Sequence, residues 1–200
     1  LECAAQIGRQ FSITALAAGV NINRLQVLNE LRKLEKNTNI VIDIDESDDH
    51  YQLESQILRD ILKDRLKKNT GVDTSELIKE MHYRIANCMI ENVNNYSENQ
   101  ILIHSLMAGK RMYKESLEYG EKALDSYSKK FAWSELLNCI EIIEKSNLLI
   151  FASEELKDKF NYYKALSLRG VGGQENRDIS RKILLDLTSS KNIDLYDVVF

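Results

Sequence analysis

Apolar residues recur at helical spacing along most of the chain, with one β-like interruption. Leu1-Glu2-Cys3-Ala4-Ala5-Gln6-Ile7 reads as the end of a helix stopped by Gly8. Ser12 suits the N-cap of a short helix through Ala18, closed by Gly19. Asn23 caps the next helix, whose Leu25, Val27, Leu28, Leu31 and Leu34 share helical periodicity. Asn37-Thr38-Asn39 breaks that pattern. The β-branched run Ile40-Val41-Ile42-Asp43-Ile44 predicts a strand, residues 45–49 a polar turn, and His50-Tyr51-Gln52-Leu53 the returning strand. A helix carrying Ile57, Leu58, Ile61, Leu62 and Leu66 follows.

Three helices, a hairpin and a further helix form the order of a winged-helix module with one extra packing helix, spanning residues 1–68. After Asn69-Thr70-Gly71 the strand signals vanish. Asp73 and Glu76 resemble a capping box that opens a helix through Leu77, Met81, Ile85, Cys88 and Met89 to about Val93. Further helices fit residues 98–108, 112–128, 131–146, 153–168 and 177–188. Asn94-Asn95, Gly109, Lys129-Lys130, Asn147 and Gly170-Val171-Gly172-Gly173 punctuate them. Small residues near helix ends (Ala108, Gly109, Ala123 and Ala132) resemble positions where tetratricopeptide helices approach closely, though no strict repeat register holds. The expected fold is therefore mainly α: a winged helix with a small β-hairpin, then an α-solenoid of degenerate tetratricopeptide-like helix pairs over residues 73–200.

The complete absence of proline agrees with a helical chain, and the 44% hydrophobic content suffices for one large core or two smaller ones. The formal net charge of −4 argues against nucleic acid as the main partner. Cys3, Cys88 and Cys139 are odd in number and far apart, which predicts buried, reduced thiols in a cytoplasmic protein. No apolar run approaches the ~20 residues a membrane span needs, and no charged leader with a cleavage site opens the chain. The chain starts within a helical pattern and ends on an apolar stretch, residues 193–200, so a fragment of a longer protein is expected.

Catalytic chemistry finds no support. Gly109-Lys110-Arg111 lacks the spacing of a phosphate-binding loop, and Gly170-Val171-Gly172-Gly173 follows a helix and serves as a turn. His50, His82 and His104 lie in separate elements with no metal-binding pair. No metal and no cofactor is expected in this segment. If the third helix entered a major groove, Arg24, Arg32, Lys33 and Lys36 would supply its DNA contacts, but Glu30 and Glu35 dilute their charge and the acidic turn after the strand would repel phosphate. Aromatic residues crowd the later helices. Tyr113, Tyr119 and Trp133, together with His104, are the candidate partner-binding residues on a solenoid surface.

The opening Leu1-Glu2-Cys3-Ala4-Ala5-Gln6-Ile7-Gly8-Arg9-Gln10-Phe11 resembles the start of the winged helix in signal-transduction ATPases with numerous domains. Residues 28–34 resemble the leucine-rich helix that follows there. Tyr51-Gln52-Leu53 and Ile57-Leu58-Arg59-Asp60-Ile61-Leu62 are similar to its closing strand and helix. His104-Ser105-Leu106-Met107-Ala108-Gly109, with Ser116-Leu117 and Ala123, resembles the first repeat behind that module. Where the family often carries a histidine that can touch the nucleotide phosphate, this chain has Ser55. The resemblance implies a non-catalytic regulatory and protein-interaction segment of a signalling ATPase or transcriptional regulator, with ATP bound by a preceding domain and a protein or neighbouring domain bound by the repeats. The alternative is a DNA-binding winged-helix transcription factor with a helical sensing or dimerisation domain.

Overall fold

A computed structural model describes residues 1–44, 49–68 and 74–188. The acidic turn at residues 45–48, the break at 69–71, Asp73 of the capping box and the apolar stretch at 193–200 lie outside the described residues. The chain is mainly helical, with ten α-helices among the described residues and one small antiparallel sheet. It divides into two compact units: Leu1–Tyr96 with Met107–Met112, and Ser97–Leu106 with the residues from Tyr113 onward.

The first unit contains α1 (Glu2–Ile7), β1 (Gln10–Ser12), α2 (Ile13–Val20), α3 (Arg24–Thr38), β2 (Val41–Asp43), β3 (His50–Leu53), α4 (Gln56–Lys68) and α5 (Thr74–Glu91). The sheet order is β1-β3-β2, with Phe11 opposite Tyr51 and Val41 opposite Leu53. Strand alternation turns Tyr51 and Leu53 into the core beside Phe11, whose ring stacks on that of Tyr51. Ser12 ends β1 and caps α2 by accepting the Ala15 N–H at 3.0 Å; its hydroxyl also shares a 2.7 Å hydrogen bond with Tyr96. Asn23 caps α3 by accepting the Leu25 N–H at 2.8 Å. Asn39, with φ 52°, closes α3 in the left-handed conformation asparagine tolerates. The Arg59 guanidinium donates to the Ala5 carbonyl at 3.0 Å and fastens α4 to α1.

Two details differ from the sequence expectation. The segment Gln10–Ser12 is a strand, and Gly19 does not close α2. The helix continues to Val20 and ends on left-handed Asn21, φ 57°. Gly19 instead permits close packing of α2 against α1 and α5: an added Cβ would lie 2.7 Å from Cys3 Sγ and 2.9 Å from Ile85 Cγ1. Toward the end of the unit, Ala108 and Met112 pack on Ala86 of α5. Arg111 stacks on Tyr83 at 3.9 Å and donates to Glu80 at 2.8 Å. The paired guanidiniums of Arg111 and Arg84 hold the Glu80 carboxyl below its usual range.

The second unit is entirely helical among the described residues. It holds most of α6 (Glu98–Ala108), then α7 (Tyr113–Lys129), α8 (Trp133–Lys145), α9 (Glu154–Val171) and α10 (Gln174–Thr188). From α7 onward each helix packs against the next. Ser116, Gly120 and Ala123 give α7 a small-residue stripe at helical spacing, all buried. A Cβ on Gly120 would lie 3.3 Å from Ile143 and 3.6 Å from Leu102 and Phe160, so this glycine sits amid the core. Ser153 caps α9 by accepting the Leu156 N–H. α9 runs through Gly170 to Val171, beyond the expected end, and left-handed Gly172 stops it. The buried Ser180 hydroxyl of α10 donates to the Ala165 carbonyl of α9 at 2.8 Å. Polar ties join α9 to α7 and α8 at the surface. Lys159 donates to Glu121, Tyr163 donates to Asp125, and Lys164 donates to Glu144.

Candidate functional site

On α3 the four basic candidates are exposed, yet Arg24 and Lys33 have acceptors of their own. Arg24 pairs with Asp49 at 3.0 Å and Lys33 with Glu30 at 2.6 Å. The Arg32 guanidinium lies beside the Tyr51 phenol. Burial raises that phenol, Asp43 and Glu35 raise it further, and Arg32 opposes them. Lys36 sits in the last turn of the helix, where its charge complements the helix dipole. A recognition helix presents polar side chains from its N-terminal end to base edges. Here that end exposes Leu25 at 65%, with half-exposed Ile22 just before the cap. Ile22, Gln26 and Leu34 line an apolar groove of about 400 Å³ with Leu1 and Val20. This flank of α3 is apolar and exposed.

The partner-binding candidates separate by burial. His104 is 2% exposed and Tyr119 is 6% exposed, so both are core residues of the second unit and offer a partner almost no surface. Their neighbours on α6 and α7, Ser105, Ser116 and Gly120, are buried with them. Tyr113 is half-buried against Phe151, ring centroids 4.7 Å apart, and Phe151 is itself exposed. Trp133 is half-buried with its indole against the backbone of Gly170, where an added Cβ would lie 2.3 Å from Trp133 Cγ.

Phe131 is one of the aromatic residues that crowd the later helices, though not one of the selected partner-binding candidates. It joins α7 to α8 in a Schellman turn: the Ala132 N–H reaches the Tyr127 carbonyl and the Phe131 N–H reaches that of Ser128, each at 3.0 Å. The turn demands a left-handed residue, a place where glycine is favoured, and Phe131 occupies it with φ 55°. A bulky side chain there costs about 1–2 kcal/mol. Its ring is 73% exposed and meets Trp133 edge-on at 5.7 Å. Neither backbone geometry nor core packing accounts for phenylalanine at this position.

The remaining chemistry is quiet. Cys3, Cys88 and Cys139 are buried free thiols, and burial pushes Cys3 and Cys139 up to about 12. Among the described residues, no three His, Cys, Asp or Glu side chains gather closely enough to hold a metal ion, and no helix is long and apolar enough to cross a membrane. No family model, curated protein or solved structure matches this chain.

Proposed function

We propose that this chain is a regulatory and protein-interaction segment of a multidomain signalling ATPase or transcriptional regulator, with the second unit docking a partner protein. The observation that carries the reading is Phe131: an exposed ring held at an energetically disfavoured backbone position beside Trp133. Strained, solvent-facing aromatic residues are the kind that serve as binding anchors. The serial packing of α7 to α10 and the small-residue stripe of α7 support a tetratricopeptide-like array. In the first unit, the order β1-β3-β2 with two helices between β1 and β2 supports a winged helix. The self-paired charges and exposed Leu25 of α3 favour its use as a packing element over a DNA reader.

The test is a photo-crosslinking amino acid in place of Phe131 in the full-length protein, in its own cells. A recurrent crosslinked protein that disappears with Trp133→Ala is the expected result. Absence of any discrete crosslink above the Trp133→Ala control would overturn the reading. The ATPase part rests on the resemblance of residues 1–11, 28–34, 51–62 and 104–123. It requires a phosphate-binding loop encoded upstream of Leu1, and an upstream sequence without one removes it.

A further inference from the structure

α9 and α10 border an open groove of about 690 Å³, within the size range of sites that bind small ligands and short peptide segments. Its walls carry Arg169 from the last turns of α9 and Arg177 and Arg181 from α10, with partly buried Leu184 as its apolar floor and Leu185 at its rim. Arg177, Arg181, Leu184 and Leu185 follow one another at helical spacing, so one stripe of α10 faces the groove. Ser180, which also lines the groove, and Leu187 are buried. None of the three guanidiniums forms an ion pair or side-chain hydrogen bond among the described residues. On the same α9, by contrast, Lys157, Lys159 and Lys164 each hold a carboxylate. Leu185, at the mouth, is 61% exposed.

Three arginines around one groove, without a counter-charge among the described residues, repel each other until an anion joins them. Guanidinium forks match carboxylates and phosphates alike. Two features select between those ligands. The leucine floor has no use for a phosphate, but suits an apolar side chain between two carboxylates. The exposed Glu175, Asp178 and Asp186 elsewhere on α10, within a chain of net charge −4, would meet the continuous phosphates of a nucleic acid with repulsion.

We infer that this cleft binds a short acidic segment of a partner protein, two or more carboxylates flanking a leucine-like residue. The inference rests on the protein-interaction reading of the second unit and gives that partner its chemistry. The probe is a fluorescein-labelled octapeptide alternating Asp and Leu, titrated against the full chain by anisotropy at low and high salt. Three controls accompany it: the same peptide with Asn for Asp, one with Ser for Leu, and a single-stranded oligonucleotide of equal charge.

The acidic-leucine peptide is expected to bind best and to weaken as salt rises. Arg177→Ala and Arg181→Ala should each weaken it about tenfold. Both residues are exposed, so circular dichroism should find the variants folded. Arg181→Lys, which keeps the charge and loses the fork, should recover only part of the affinity. Equal binding of the Asn peptide, tighter binding of the oligonucleotide, or indifference to both alanine variants would overturn the inference. Binding that appears only in the Asp194→Asn/Asp197→Asn chain would overturn the partner assignment too, because the chain's own acidic end would then be the occupant. A partner crosslinked at position 131 without acidic-peptide binding removes the cleft and leaves the interaction reading standing. Arginine-dependent peptide binding without that crosslink supports the cleft and removes the observation at Phe131.

Discussion

In the first unit Arg24 meets Asp49, Lys33 meets Glu30, and Glu80 lies between Arg84 and Arg111. In the second unit the lysines of α9 are matched just as closely, but Arg169, Arg177 and Arg181 gather around a groove, and Phe131 projects into solvent. Each unit buries a histidine, His82 in the first and His104 in the second. The first unit adds a glycine wedged between helices and a strand that doubles as a cap, and the second adds a strained aromatic residue at its surface. On the proposed reading, the first unit is organised around its own interior and the second also around a partner. This predicts opposite responses to perturbation: the first unit should lose stability readily, and the second should lose binding before stability.

The largest expected effect is on the first unit. His82 on α5 is 2% exposed, and burial, with Lys63 adding, pulls its pKa down to about 4 from 6.5. It is therefore neutral when folded and takes up a proton more readily when unfolded. Above about pH 6.5 both states are neutral and the group has no effect on stability. As pH falls from about 6.5 to about 4 the unfolded state binds the extra proton, so stability declines, by about 3 kcal/mol at the lower end. Urea midpoints followed across this range should fall in the wild type. His82→Gln should flatten the decline, leaving only what carboxylate titration contributes near pH 4. An unaltered slope in that variant would remove the contrast between the units at its strongest point.

Next in size are two glycines, Gly19 and Gly120, each inside a helix and packed against a core. Gly19→Ala drives a methyl to within 3.0 Å of Cys3 and Ile85, where three helices meet, and should cost about 2 kcal/mol despite the better helix propensity of alanine. Gly120→Ala approaches nothing closer than the Ile143 methyl at 3.3 Å, and should change stability by less than about 1 kcal/mol. Chemical denaturation of both variants checks the pair. Equal effects would mean that the two cores tolerate overpacking alike.

These glycines also mark where the sequence was readable. Helix α6 at Glu98–Ala108, the Asn23 cap, and strand β3 at His50–Leu53 stand where periodicity and capping chemistry put them. Such signals are local: one side chain, one cap, one alternation. β1 was not legible, because Gln10–Ser12 becomes a strand only by pairing with residues some forty positions onward. Gly19 and Gly170 both read as helix ends. Each lies inside a helix because a neighbour, Cys3 with Ile85 or Trp133, fills the space of its missing side chain. His104 between Ile103 and Leu106 reads as a packed helix residue, and it is one, but it and Tyr119 also read as partner-binding candidates since an apolar face and a binding face share one periodicity. Burial alone separates them. The arginine cleft had a faint signal in the i, i+4 pair Arg177 and Arg181, but Arg169 joins them only through the turn between α9 and α10.

The smallest effect has the opposite sign. Phe131→Gly relieves the left-handed strain at the α7–α8 turn, keeps the Schellman hydrogen bonds, and removes a ring that buries little against the unit. Glycine there should leave the second unit as stable as the wild type or stabilise it by about 1 kcal/mol, because the backbone relief is partly offset by glycine's larger unfolded-state entropy and by loss of the edge contact with Trp133. Thermal unfolding of the variant measures the sign. A clear loss of stability would make Phe131 a structural residue, one that holds Trp133 against Gly170, and would erase the comparison at the site that defines it. A gain in stability accompanied by loss of the partner crosslink would mean that the second unit retains a strained aromatic residue because binding depends on it.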